Sequence, residues 1–82
     1  MKCIWMMGIA VAKRSIAVQS VQEVLTRYGG IIRMRCGYHE HANEEDDGVI
    51  ILQLHAEVSG VDALKAALCQ IEGVTVAATV IK

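Results

Sequence analysis

The sequence of 82 residues contains no proline and no phenylalanine, and it has a single tryptophan. Without proline there is no sign of a linker, and a chain of this length is sufficient for one domain, residues 1–82. Hydrophobic residues nonetheless make up 54% of the chain, and many of them are valine, isoleucine, leucine and alanine. This composition favours helices packed on a β-sheet, with part of the apolar surface covered in an oligomer.

Long apolar runs and clusters of positive charge are also missing. No run reaches the roughly 18 residues of a membrane-spanning helix, and the formal net charge is −1. The apolar segment after Lys2 is similar to a signal peptide, but its alternation continues towards a helix start and no cleavage site follows, so it is predicted to be a first strand. We therefore expect no membrane and no direct nucleic-acid partner.

Cysteine is scarce and is not arranged in pairs. Cys3, Cys36 and Cys69 are odd in number, widely spaced and free of any CxxC motif. This pattern is typical of free thiols in a reducing compartment, so the predicted location is cytoplasmic. Cys36 and Cys69 are expected to pack in the core, which leaves Cys3 as the thiol nearest to solvent.

Hydrophobic periodicity predicts six elements in the order βαββαβ. Alternation over residues 2–12, 31–39, 49–58 and 74–81 predicts four strands. Apolar stripes of helical period predict one helix over residues 16–28, with Ser15 as N-cap, and a second from 59 or 60 to 72. Gly29 and Gly30 are expected to end the first helix with a left-handed glycine, and Gly73 to end the second.

This element order is that of the ferredoxin-like α+β fold, the split βαβ unit. Right-handed crossovers place both helices on one face of a four-stranded antiparallel sheet. The predicted strand order is 4-1-3-2. It places the first and third strands, which are the most apolar, at the centre of the sheet.

Helices on one face leave the other face of the sheet uncovered. The rows predicted there are apolar in the middle and polar towards one edge. They are Ile4, Met6, Gly8 and Ala10; Arg33, Arg35 and His39; Val49, Ile51, Gln53, His55 and Glu57; and Thr75, Ala77, Thr79 and Ile81. An apolar surface of about 400 Å² favours self-association of the chain, sheet against sheet. Gly8 removes one side chain and could let another group approach the backbone.

Charged and polar residues gather in the predicted hairpin. With a loop centred near residue 44, Arg33 would lie opposite His55 and Arg35 opposite Gln53, with Glu57 diagonal to Arg33. We interpret this cluster as the polar edge of a dimer interface. A site for an anion or a small-molecule ligand, held by the two arginines, is the alternative.

His39 and His41 form an HxH pair that could chelate a metal ion from an extended backbone. The predicted hairpin places His39 opposite Val49 and about 20 Å from His55, so a third ligand would come from the acidic residues of the loop or from another subunit. We interpret the pair as a solvated loop end, with the metal site as the alternative. The sequence itself identifies no cofactor.

No established catalytic motif is present. The sequence contains no glycine-rich phosphate loop, no nucleophile elbow and no helical HExxH. His55 beside Arg33 leaves a small dimeric α+β enzyme as a further hypothesis.

Four pieces of the chain carry a resemblance to a known family: IIRMRCGYHEH, the acidic loop, VIILQLHAEV and VDALKAALCQIEGVTVAATVIK. Together they resemble the small bacterial proteins called iron-only hydrogenase system regulators. The most specific pieces are RCGY over residues 35–38 and QIEGV over residues 70–74. That family is similar to the ACT-like C-terminal domain of the nickel-responsive repressor, whose domains associate through their sheets. The repressor's metal ligands do not carry over, because Gln53 and Gly60 stand at two of their positions. The resemblance implies a non-enzymatic regulatory or sensing module that acts as a homo-oligomer.

Overall fold

The computed structural model describes the backbone of residues 1–12, 14–40 and 47–82 and the side chains of 1–12, 17–37 and 48–82. Its elements follow the predicted order, with one short 3-10 turn added after the first helix. They are β1 (Cys3–Val11), α1 (Arg14–Arg27), the 3-10 turn (Gly29–Ile31), β2 (Ile32–Glu40), β3 (Asp47–Ala56), α2 (Val58–Cys69) and β4 (Val74–Val80).

The four strands form one sheet in the order β2-β3-β1-β4. Every neighbouring pair is antiparallel. Read from the other edge, this is the order 4-1-3-2, so the prediction of a ferredoxin-like α+β fold is confirmed. β1 and β3 are central because they carry apolar residues on both faces, whereas the edge strands β2 and β4 pair on one side only.

The hydrophobic core lies between the sheet and both helices. The sheet contributes Met7, Ile9, Leu52 and Leu54, none of which is accessible to solvent. Opposite them lie the buried stripe of α1, made of Ala17, Val21, Val24 and Leu25, and that of α2, made of Val61, Leu64 and Leu68. The spacing of three or four residues in each stripe matches one face of a helix, so both helices cover the same face of the sheet.

The two helices are short and amphipathic. α1 has 14 residues and α2 has 12, which gives lengths of about 21 and 18 Å. Among the described residues, no helix is long and apolar enough to cross a membrane.

The end of α1 differs from the prediction. Gly29 and Gly30 enter a 3-10 turn, in which the Ile31 amide donates to the Tyr28 carbonyl at 3.1 Å. A 3-10 turn satisfies terminal helix carbonyls without left-handed backbone. The glycine with positive φ in the described chain is Gly73, at +84°, after α2. The left-handed glycine predicted for Gly29 or Gly30 is therefore wrong.

Candidate functional site: the open face of the sheet

The register between β2 and β3 decides which side chains reach the uncovered face. Met34 lies opposite Gln53 and Arg35 opposite Leu52, because the register shifts between Ile32 and Met34. Arg33, at this bulge, has no opposite residue on β3. A shift of one residue moves each following side chain to the other face of a strand. The pairings predicted above for Arg33 with His55 and for Arg35 with Gln53 are therefore wrong.

Residues directly opposite each other in a sheet share a face, so the ladders define the uncovered side. We call the following set the open face: Ile4, Met6, Gly8 and Ala10 of β1; Met34 and Cys36 of β2; Val49, Ile51, Gln53 and His55 of β3; and Thr75, Ala77 and Thr79 of β4. Among the side chains that the structure describes, the set contains no lysine, arginine, aspartate or glutamate. Every member is half-buried or exposed, and Met34 is 47% exposed. The surface is thus less charged than predicted.

The five residues of the predicted polar cluster occupy different places. Gln53 and His55 lie on the open face, and His55 is opposite Ile4 of β1. Arg35 lies towards the helices and donates a hydrogen bond to Gln22 Oε1 of α1. Arg33 donates to the Gly30 carbonyl at 3.2 Å. Glu57 follows β3 and accepts from the N-terminal amine at 3.3 Å. The structure therefore does not bring the two arginines together with His55.

These polar contacts of Arg33, Arg35 and Glu57 are exposed to solvent. The side chains of Met1 and Glu57 are 93% and 60% exposed, so the ion pair between the N-terminal amine and Glu57 adds little stability. The two arginines are exposed as well. Each of these contacts fixes a side chain along the margin of the domain and leaves the centre of the open face free of charge.

A shallow depression lies at the centre of the open face. It has a volume of about 320 Å³ and is lined on the open face by Met6, Gly8, Ile51, Ala77 and Thr79. A Cβ atom placed on Gly8 would lie 3.8 Å from Ile51 Cδ1, which is an ordinary contact. The depression therefore results from the missing side chain at Gly8 and the small Ala77, with Met6 and Ile51 as its walls.

The cysteines are placed differently from the prediction. Cys36 and Cys69 are exposed, and Cys3 is partly buried. Cys36 changes face with the register of β2, since it lies opposite Ile51. Cys69 is the last residue of α2 and follows Leu68, the last buried position of that helix. The prediction that both thiols pack in the core is therefore wrong. Free cysteine is usually buried, so the residue type alone gives no sign that these two are exposed.

The structure describes only part of the histidine pair His39 and His41. The backbone of His39 pairs with Gly48, one residue from the predicted Val49. His41 and the acidic residues 44–46 lie outside the described residues. In the part of the chain that is described, no three histidine, cysteine or acidic side chains are grouped to hold a metal ion. A metal site that uses His39 and His41 stays a prediction.

Comparison with known proteins gives a family match over most of the chain. The TM1266-like family, described as "Iron-only hydrogenase system regulator, putative", matches residues 3–78. No curated protein matches the chain. The structure of uncharacterized protein TM1266 from Thermotoga maritima is 32% identical, covers 100% of both chains and superposes with a TM-score of 0.91.

More distant structures share only the fold. A dimeric ferredoxin-like protein from an uncultured marine organism is 7% identical, covers 98% of this chain and 89% of its own, and has a TM-score of 0.59. The nitrogen regulatory PII-like protein CPII from Thiomonas intermedia K12 is 14% identical, covers 99% and 90%, and has the same TM-score of 0.59. With the match over residues 3–78 and the 32% identity over the full length of TM1266, the chain belongs to the TM1266-like family of iron-only hydrogenase system regulators.

Proposed function

We propose that this protein is a non-enzymatic regulatory module that works as a homo-oligomer, with the open face as the interface between two copies. The observation that carries the proposal is the absence of charged side chains from the described part of that face. Charged residues are depleted in the centre of protein interfaces, because their desolvation is costly. On a free sheet face in water the same positions would tolerate charge.

The size of the open face is sufficient for a modest dimer. Four strands at about 4.8 Å and nine residues of β1 at about 3.4 Å give a surface of roughly 19 by 30 Å. Two such faces cover about 1,200 Å², the lower bound of stable specific interfaces. We therefore expect a dimer whose population depends on protein concentration.

The polar residues Gln53 and His55 lie in one half of this interface. Gln53 and His55 lie towards the end of the sheet where β1 begins, opposite Met6 and Ile4. We propose that His55, three residues from the midpoint of β1, lies near the rim of the interface, where water can reach its polar atoms, and that Gln53 lies beside the central Met6. Arg33, Arg35 and Glu57 belong to the exposed rim, where charge is tolerated.

The comparisons support this proposal at the level of fold and family. The family is described by its role in regulation, and the PII-like neighbour is named as a nitrogen regulatory protein. Two neighbours are named as dimeric ferredoxin-like proteins, one of them from Thermobifida fusca. A small domain without a catalytic motif can regulate by presenting an assembled surface to another protein, and this is the role we assign to the oligomer.

Replacing Ile51 by glutamate is expected to convert the dimer into a monomer. The new carboxylate would lie in the middle of the open face and would lose its hydration in the assembled state. Size-exclusion chromatography with light scattering should show wild-type protein near twice the 8.9 kDa of one chain, and the variant near that single mass.

The matched control is Val58→Glu. Val58 is 58% exposed and is the first residue of α2, away from the open face. Its replacement makes the same change of chemistry and should leave the dimer intact. A wild-type protein that is monomeric at high concentration, or equal effects of both substitutions, would argue against the proposed interface.

The dimer should also protect one cysteine from modification and leave another accessible. Cys36 lies on the open face, whereas Cys69 lies at the end of α2, and both are exposed on a single chain. In wild-type protein a bulky thiol reagent is expected to modify Cys69 several-fold faster than Cys36. Peptide mass spectrometry over a time course resolves the two sites.

The Ile51→Glu variant supplies the comparison for this labelling. In the monomer Cys36 should become as reactive as Cys69, while the rate at Cys69 should stay the same. Equal rates at the two thiols in a protein that light scattering shows to be dimeric would move the interface away from the open face.

A further inference from the structure

We propose that the depression at Gly8 is a socket that receives the Met6 side chain of a second copy of this chain. The inference rests on the proposed function, since it needs a dimer through the open face. It adds the residues that set the relative position of the two copies. Three observations about β1 carry it.

The first observation is that nothing in the described part of the chain requires glycine at position 8. A Cβ atom there would lie at an ordinary distance of 3.8 Å from Ile51 Cδ1. Its backbone is not left-handed, because the positive φ in the described chain belongs to Gly73. Glycine inside a strand is unfavourable relative to alanine, and it often marks close approach by another group. The reason for the glycine therefore lies outside the chain, on the side that the depression faces.

The second observation is that a long side chain, Met6, and the depression at Gly8 lie side by side at the centre of the sheet. We call Met6 the knob and the depression the socket. Met6 and Gly8 flank Met7, which is the midpoint of β1 (Cys3–Val11). Both project onto the open face, where Met6 lies opposite Gln53 and Gly8 opposite Ile51. A two-fold interface is self-complementary, so each contact must occur twice with the roles of the residues exchanged. A pair made of a knob and an adjacent socket meets this condition.

The position of the axis follows from this pair. A two-fold axis that lies between the sheets and crosses the strands at Met7 places each Met6 over the other copy's Gly8. The same axis places Thr79 over the other copy's Ala77, again a larger side chain over a smaller one. Because it passes through the centre of β1, it also gives extensive overlap of the two faces. Sheets that pack face to face lie about 10 Å apart, and an unbranched methionine is suited to fill an irregular gap between them.

The third observation concerns the rival occupant, Ile51. An axis that runs along the strands, between β1 and β3, would instead place the other copy's Ile51 over Gly8. Met6 and Ile51 both form walls of the depression, but Ile51 Cδ1 is turned inward, 3.8 Å from a Cβ atom placed on Gly8, and no Met6 atom lies within 4 Å of that position. It therefore projects less from the face than Met6 could. The crossing axis with Met6 as the knob is the arrangement we infer.

The test is a set of substitutions at Gly8 and Met6, measured by sedimentation over a range of protein concentrations. Gly8→Met is expected to fill the socket and to raise the dimer dissociation constant by about tenfold or more, because an interface that is overpacked cannot close. Gly8→Ala, the matched control, should change it much less. The exchanged variant Met6→Gly/Gly8→Met moves knob and socket along the same strand and should restore dissociation to near the wild-type value. Circular dichroism confirms that each variant is folded, with Gly8→Leu as a second filling variant.

The outcomes separate this inference from the proposed function. A dimer that Ile51→Glu dissociates but Gly8→Met does not affect would overturn the socket and leave the open-face interface standing. If Gly8→Met dissociates the dimer and the exchange does not restore it, Met6 is not the knob. If Ile51→Gly/Gly8→Met restores the dimer instead, the side chain that fills the socket is that of Ile51. A wild-type protein that is monomeric would overturn both.

Discussion

Replacement of Leu52 by alanine is expected to lower the free energy of unfolding by about 2–5 kcal/mol, the usual cost of a large-to-small change in a packed core. Leu52 is fully buried in the centre of β3, opposite Met7 of β1. Its side chain belongs to the single core shared by the sheet and both helices. A domain of 82 residues has a total stability of roughly 4–12 kcal/mol. The substitution should therefore remove a large part of it.

The neighbouring residue supplies a sharp control. Ile51 precedes Leu52 on the same strand and lies on the open face, where it is half-buried. Ile51→Ala removes three side-chain carbon atoms, as Leu52→Ala does, yet it opens no cavity in the core. Its effect on unfolding should come mainly from weaker association, so it should diminish when the protein is diluted to the monomer.

Urea denaturation at several protein concentrations separates the two effects. The loss at Leu52 should persist at every concentration, and the loss at Ile51 should be largest where the dimer is most populated. Similar losses at both residues in the monomer would mean that the two faces of β3 are equally packed. That result would contradict the assignment of one covered and one open face.

The parts of the fold that follow from periodic patterns were predictable. Strand alternation and helical stripes average over many residues, so an error at one position does not change the element or its place in the sheet. The same averaging placed Gly8, Ile51, Gln53 and His55 on the open face correctly. For β1, β3 and β4 the two rows of each strand fall on the predicted faces.

The face of the sheet on which each β2 side chain lies was not predictable, because it depends on one residue. The bulge at Arg33 adds a position to β2 without a counterpart on β3, and the side chains from Met34 onward change face. The alternation of β2 predicts the opposite, because it places the arginines at 33 and 35 in the uncovered row. Long arginine side chains can lie across a helix surface with the charge in water, as Arg35 does beside Gln22. A polar row in an edge strand therefore does not identify the open face.

This correction strengthens the case for an interface between copies. The predicted open face carried Arg33, Arg35 and Glu57 and could be interpreted as an anion site. The observed face carries Met34 and Cys36 in β2, which extend the apolar surface from β1 and β3 to the edge of the sheet. Without the arginines near His55, the ligand site loses its charged anchor and the dimer interface gains area.

Replacement of Gly73 by alanine is expected to lower the free energy of unfolding by about 1–3 kcal/mol, the range for a residue held in a strained backbone conformation. Gly73 has a φ of +84°, and an added Cβ atom would lie 3.1 Å from the carbonyl oxygen of Ala12. That neighbour is backbone and cannot turn aside as a flexible side chain could. The Gly73 carbonyl also accepts from the Ala12 amide at 2.8 Å, so the contact ties the end of β1 to the start of β4.

Gly30→Ala is the matched control for this prediction, because nothing lies within 4 Å of a Cβ atom at that position and its φ is not left-handed. Alanine there restricts the unfolded chain and should leave stability unchanged or raise it by about 0.4–1 kcal/mol. The melting temperature should then fall for Gly73→Ala and stay the same or rise for Gly30→Ala. The change is about 4–8 °C for each kcal/mol in a domain of this size. Equal melting temperatures for the two would mean that the turn at Gly73 relaxes to accept a side chain. In that case the tie between Ala12 and Gly73 would not constrain the position of β4 beside β1, and with it the part of the open face that Ala77 and Thr79 provide.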